Sequence, residues 1–268
     1  MTTLEVRGLG KDYRLRDGWR GGTLRAVDDV SFTVDHGKTI ALVGQSGSGK
    51  STVAKLLLQL ERPTRGGILL DGEPVARRGA GLAAYRRTVQ MVFQDPFASL
   101  NPYHTIGHHL ARPIRLHHPE MRDADVRKRV LELLERVRLT PAENVARRRP
   151  HELSGGQRQR VAIARALAPE PGVLIADEPV SMLDVSIRLG VLNLLATLQR
   201  EEDLGVLYIT HDLATARHFS DEILVMYKGA IVERGPADDV ILNPQHEYTK
   251  TLAEAAPNPE RRLGELRR

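Results

Sequence analysis

Several short apolar runs along the chain are each followed at once by a polar residue or a glycine-rich turn. Thr39 to Val43 runs into Gly44, Val89 to Phe93 stops at Gln94, Val173 to Ala176 stops at Asp177 and Glu178, and Val206 to Ile209 stops at Thr210 and His211. Strands of an open α/β sheet present ligand groups in this way, in the crevice beyond their carboxyl ends, so these separated polar groups are expected to converge on one site. Leu4 to Leu9 and Val30 to Val34 alternate apolar and polar positions instead, and Ile68 to Val75 carries an Asp71-Gly72 turn. They read as an antiparallel β portion.

Helical spacing takes over elsewhere. Thr52 to Leu60 and Arg158 to Ala168 read as helices, and Ser186 to Arg200 is amphipathic through Ile187, Val191, Leu194, Leu195 and Leu198. Between Gln94 and Ser154, Pro, His and Arg become frequent, and Val126, Val130, Leu131, Leu133, Leu134 and Val137 recur at helical intervals, which predicts an inserted helical subdomain. Beyond Gly235 the chain turns polar and is punctuated by proline, reading as a short helix and a tail. Arg16 to Arg25, with Trp19 and three glycines, reads as an inserted loop.

Composition narrows the picture without deciding it. The 268 residues are 41% hydrophobic and 27% charged, a globular balance that excludes a disordered tail protein. A formal charge of +5 fits an acidic ligand or surface without requiring one. The absence of cysteine excludes disulfides, iron–sulfur ligation and thiolate zinc sites. Met1 to Gly10 carries neither the basic nor the apolar region of a leader, and no apolar run approaches a membrane span, so the expectation is a soluble cytosolic chain.

The strongest chemical signal is the loop Gly44-Gln45-Ser46-Gly47-Ser48-Gly49-Lys50-Ser51-Thr52, which matches G-x-x-x-x-G-K-[ST] between a β-rich run and an apolar helix. Its glycines let successive backbone N–H groups and the helix N-terminus face phosphate oxygens. Lys50 adds a point charge, and Ser51 offers a hydroxyl for Mg²⁺. The strand that ends in Asp177 and Glu178 places two costly carboxylates where a cation or a proton needs handling: Asp177 suits Mg²⁺, and Glu178 suits deprotonating an attacking water. Ser154-Gly155-Gly156-Gln157 opens another helix and forms a second anion cradle, one more than a single site requires. The fold class that follows is α/β. It is a P-loop NTPase core of mostly parallel sheet flanked by helices, with an antiparallel β portion and an inserted helical subdomain. Expected boundaries are 1–94 for the first part of the core, 95–157 for the helical subdomain, 158–235 for the second part of the core and 236–268 for a C-terminal helix and tail.

These strings, with Gln94, Ser181-Met182-Leu183-Asp184 and His211 in the same order, resemble the ATP-binding subunit of an ABC transporter. Phe93 to Pro102, Pro150-His151-Glu152-Leu153, Ala176 to Ser181 and Asn243 to Thr249 are similar to its oligopeptide, dipeptide and nickel importer branch. Met182 stands where the family most often has a small residue, and Gln45 where the branch often has Glu. The resemblance implies ATP as substrate with Mg²⁺, Tyr13 stacked on adenine, Gln94 at the metal and the water, His211 at the γ-phosphate and Asp184 at a dimer interface. It implies a head-to-tail pairing with a second ATP-binding subunit, in which Ser154, Gly156 and Gln157 complete the opposite subunit's site. It also implies two transmembrane permease subunits, an extracytoplasmic solute-binding protein acting indirectly, and a peripheral place on the cytoplasmic face of the cell membrane.

Weaker signals are given their plainest chemistry. His104, His108, His109, His117 and His118 lack accompanying acids and read as a solvated helical face rather than a metal set. Arg86-Arg87 and Arg147-Arg148-Arg149 read as surface charge, with no nucleic acid implied. Two alternatives stay open: a soluble, non-transport ATPase of the same type in repair, chromosome maintenance or translation, and a regulatory module that holds nucleotide without hydrolysing it. Long coiled coils, zinc modules or tandem cassettes would favour the first and are absent from the sequence, whereas Glu178, Gln94 and His211 argue against the second.

Overall fold

The computed structural model describes residues 2–15 and 22–255. In chain order, its elements begin with β1 (Leu4–Leu15), β2 (Gly22–Val34), β3 (Thr39–Val43), α1 (Lys50–Leu57), β4 (Arg65–Leu70), β5 (Glu73–Pro74), α2 (Gly79–Thr88) and β6 (Val89–Val92). A helical stretch follows, with α3 (Pro96–Ser99), α4 (Ile106–His117), α5 (Asp123–Arg136), α6 (Ala142–Arg147) and α7 (Gly155–Leu167). The chain then returns through β7 (Val173–Asp177), α8 (Val185–Glu201), β8 (Gly205–Thr210), α9 (Leu213–Phe219), β9 (Glu222–Tyr227), β10 (Ala230–Pro236), α10 (Ala237–Leu242) and α11 (Glu247–Ala255).

Two sheets form. One is antiparallel, in the order β2-β1-β4-β5, and the other runs β10-β9-β3-β8-β7-β6, parallel from β9 to β6 with an antiparallel edge at β10. The central strands β3, β7 and β8 read as nearly unbroken apolar runs because both of their faces are covered, whereas the edge strand β6 carries Gln90. Alternate residues of each strand enter different cores. Ala41, Val43, Leu174, Ala176, Val206 and Tyr208 pack with α4, α5, α7 and α8, whereas Ile40, Leu42, Val173, Ile175, Leu207 and Ile209 pack with α1 and the antiparallel sheet. Register sets the strand ends level, with Val43 opposite Thr210 and Asp177 opposite Ile209. The groups that follow Val43, Asp177 and Thr210 therefore emerge on one edge.

The elements differ from the sequence pattern in instructive places. β1 continues past Leu9 to Leu15, where register shifts between Val6 and Leu9, Leu9 and Lys11, and Lys11 and Asp12 break the alternation that would have revealed it. Gly22 to Arg25 belongs to β2 and pairs with Asp12 to Leu15, so that part of the expected loop is strand; residues 16–21 lie outside the described residues. Helix α1 begins at Lys50 and stops at Leu57, before Gln59 takes a left-handed φ of 53°. The β9–β10 hairpin, with Lys228 and Gly229 at positive φ in its turn, has no counterpart among the expected elements. Among the described residues no helix is long and apolar enough to cross a membrane.

In the helical stretch, Val126, Val130, Leu133 and Leu134 of α5 are buried against Ile106, Leu110 and Ile114 of α4 and against α7. Leu133 has no exposed surface. Truncation there leaves a cavity, and Leu133→Ala is expected to lower unfolding stability by about 2–5 kcal/mol, read from the shift in a urea transition followed by circular dichroism.

Candidate functional site

In the loop between β3 and α1, two glycines lie against neighbouring backbone. Gly49 caps α1 at a φ of 114°, and a Cβ there would sit 2.4 Å from the Ala26 carbonyl oxygen. At Gly44 a Cβ would meet the Met226 carbonyl oxygen at 2.3 Å. Backbone from β2 and from the end of β9 thus clamps the loop on both sides. The β9–β10 turn adds a direct bond, Gly229 N–H to the Ser48 carbonyl at 2.9 Å, and Gly229 in turn accepts from Asp28 N–H at 2.8 Å.

Lys50 folds back over this loop and is only 6% exposed. Its ammonium donates to the Gly44 carbonyl at 2.6 Å and the Gln45 carbonyl at 2.9 Å. Burial pushes its pKa down, and the carboxylates of Glu178 and Asp177 push it back up. Asp177 answers in the opposite sense. Burial and the neighbouring Glu178 push its pKa up to about 6, while Lys50 holds it down. A desolvated carboxyl beside a second carboxylate is a group that a cation would stabilise.

Glu178 stands at the centre. It follows β7 in a left-handed backbone conformation, φ 44°, fixed by its N–H donating to the Ile209 carbonyl at 2.8 Å. Its Oε2 accepts from Gln94 Nε2 at 3.0 Å, and its Oε1 lies 3.0 Å from His211 Nδ1. The Ser181 hydroxyl donates to the Glu178 carbonyl at 3.1 Å. The ends of β6, β7 and β8 therefore meet in one hydrogen-bonded row, in line with the strand-end pattern of the sequence.

Lys50, Gln94, Glu178 and His211 line a cleft of about 920 Å³ that also touches Ser46, Gly47, Ser51 and Thr52, whereas Asp177 lines an adjoining cavity on the other side of Gln94. Tyr13 lies on its wall, its hydroxyl donating to Glu61 Oε2 at 2.5 Å and its ring centroid 4.9 Å from the Lys11 ammonium. Lys228, Gly229 and Leu252 line it too, and the sequence pattern did not single them out. Gly229 between two apolar runs marks a turn, but nothing in the residue pattern brings that turn to the cleft.

Ser154, Gly155, Gly156 and Gln157 do not line this cleft. They cap α7 reciprocally: the Ser154 hydroxyl accepts from Gln157 N–H at 3.3 Å, and Gln157 Oε1 accepts from Ser154 N–H at 3.0 Å. A Cβ on Gly156 would lie 2.6 Å from Ile187 Cγ2, so the Ile187 side chain of α8 packs directly on the backbone of α7 there. His104 and His108 stack at 4.1 Å, His109 lies 3.0 Å from the Asn101 carbonyl, and among the described residues no three His, Asp or Glu side chains are placed to hold an ion.

A glycine-lined phosphate loop, a buried lysine and strand-end carboxylates on a doubly covered parallel sheet define a P-loop ATP-binding protein. The family model described as ABC transporter matches residues 27–181, and the chain belongs to that family. Its ATP-binding subunits are ATPases, and this chain is an ATP hydrolase of that type. It is 46% identical over 263 residues to the oligopeptide transport ATP-binding protein OppF of Escherichia coli, covering 96% of this chain and 78% of that one. It is 48% identical over 258 residues to the glutathione import ATP-binding protein GsiA of Salmonella typhimurium, covering 95% of this chain but 41% of that longer protein. Among solved structures, cbiO1 from Clostridium perfringens, part of the transporter complex cbiONQ, superposes with a TM-score of 0.79 at 28% identity over 98% of this chain and 97% of that one. The dimeric cassette MJ0796 bound to ADP and Pi gives 0.75 at 31% identity over 87% of this chain and 98% of that one.

Gly49→Ala combines a strained φ with a carbonyl collision. It is expected to destabilise the chain by at least about 1 kcal/mol and to weaken retention on an ATP-analogue resin, both measured against the native protein.

Proposed function

We propose that the chain is the ATPase subunit of an importer for peptides or a related small solute such as glutathione, working on the cytoplasmic face of the cell membrane. The observation that carries the reading is Glu178, held between Gln94 and His211 on the wall of the cleft that contains Lys50. The relatives OppF and GsiA supply the solute class. Residues 1–94 and 158–235 make the nucleotide-binding core, 95–157 the helical subdomain and 236–268 a C-terminal extension.

In this reading the phosphate-loop N–H groups between Gly44 and Thr52, other than that of Gln45, hold the phosphates with the Lys50 ammonium, and the Tyr13 ring packs on the base. Glu178 takes a proton from the attacking water as its oxygen adds in line to the γ-phosphorus and the bond to the ADP oxygen breaks. Gln94 orients that carboxylate and the water, and His211 steadies the γ-phosphoryl oxygens. Mg²⁺ fits the donor set: Asp177 is a desolvated carboxyl whose pKa of about 6 a cation would bring down, and Ser51 and Gln94 supply neutral oxygens. Bound there, Mg²⁺ supplies charge neutralisation across the phosphates.

Two such chains, or this chain and a related subunit, pair head to tail in the proposal. Ser154, Gly155, Gly156 and Gln157 of one then face the nucleotide of the other, with Asp184 at the seam. Their place outside the cleft of a single chain is what such a pairing requires. Closure driven by ATP pushes on two transmembrane permease subunits, to which an extracytoplasmic solute-binding protein delivers cargo.

Glu178→Gln is expected to retain ATP, to form an ATP-dependent dimer on size-exclusion chromatography and to lose hydrolysis by about 10²- to 10⁴-fold in a phosphate-release assay. Normal turnover by that variant would remove Glu178 from its role. Lys50→Ala is expected to weaken nucleotide binding itself, read by titration with a fluorescent ATP analogue.

A further inference from the structure

The string Asn243 to Thr249 has no part in the chemistry above, yet the fold brings it to the phosphate loop. The Gln45 N–H donates to the Tyr248 hydroxyl at 2.9 Å, across 203 positions of sequence. On its other side, the Gln45 carbonyl accepts from Lys50 Nζ at 2.9 Å and from Ser48 N–H at 3.2 Å. Both peptide groups that flank Gln45 are thus tied, one by the loop itself and one by α11.

The phenol is held where it is by more than its own bond. The Tyr248 ring packs on Tyr227 with centroids 4.2 Å apart, and Tyr227 ends β9 immediately before the turn that bonds Ser48. The start of α11 is seated on β10, where Glu233 accepts from Gln245 N–H at 2.7 Å and from His246 N–H at 3.0 Å. His246 Nδ1 then accepts from Tyr248 N–H at 3.1 Å. One turn further along α11, Leu252 reaches the cleft wall. Two-pronged bonds to a carboxylate are stronger than neutral ones, so this seat is firm enough to aim a single hydroxyl.

We infer that Tyr248 is a positioning residue of the phosphate loop, its hydroxyl holding the first turn of the loop in the shape that receives nucleotide. The loop is then organised from two directions: by Lys50 from within and by the C-terminal helix from outside. A preorganised loop spends less of its binding energy on ordering, so loss of the hydroxyl falls on nucleotide affinity. The inference rests on the cleft being the ATP site.

The test compares the full native chain with Tyr248→Phe, which keeps the ring against Tyr227 and removes only the oxygen. Tyr248→Phe is expected to raise Kd for ADP about five-fold, equivalent to about 1 kcal/mol, and to speed hydrogen exchange at the Gln45 amide in the nucleotide-free chain. Glu233→Gln, which loosens the seat of α11, is expected to move both readouts in the same direction. An unchanged Kd with Tyr248→Phe overturns the inference, and so does a Gln45 amide indifferent to both substitutions. Failure of the native chain to bind ADP would strike the ATP-site reading instead, which keeps the two apart.

Discussion

An ammonium withdrawn from water sets the terms for everything around it. Lys50 satisfies its charge with two carbonyls of its own loop and with the field of Asp177 and Glu178, and the loop must bend tightly enough to bring those carbonyls within reach. That bend is available only because glycine occupies Gly44 and Gly49, where neighbouring backbone leaves no room for a Cβ. The carboxylates stay close because parallel pairing levels the strand ends. Sheet register, loop composition and charge balance are thus one constraint expressed three times.

Glu178 shows how such a constraint becomes chemistry. A left-handed residue other than glycine is strained, and here the strain is carried by a bond to the neighbouring strand at Ile209. The turn aims both carboxylate oxygens, one toward Gln94, two residues beyond β6, and one toward His211, which follows β8. A carboxylate with both oxygens occupied by donors from separate strands reports on the positions of both.

Much of this is legible in the residues themselves. The strands β3, β6, β7 and β8 are mostly apolar runs with chemistry at their ends, and the phosphate loop has a glycine and lysine spacing that chance seldom produces between a strand and a helix. β9 is also an apolar run, Glu222–Tyr227, but the turn after it holds Gly229, which bonds the backbone of the phosphate loop. Side-chain chemistry does not announce a backbone contact. Tyr248 escapes for a related reason: its partner is a peptide N–H 203 positions away, and no periodicity encodes that. The bulged part of β1 loses its alternation where the register shifts, so Tyr13 is placed by resemblance and not by pattern.

The seat of Gly156 against Ile187 has a mechanical consequence. From Glu178 the chain passes through tight turns in which Ser181 bonds Glu178, Leu183 bonds Val180 and Ile187 bonds Asp184, and it then meets Gly156 through the β-branched side chain of Ile187. No long, adjustable side chain lies in this series. The span from the acidic turn to the Ser-Gly-Gly turn is therefore a rod of nearly constant length, and a shift at one end must be taken up as rotation or translation at the other, because close-packed contacts do not compress.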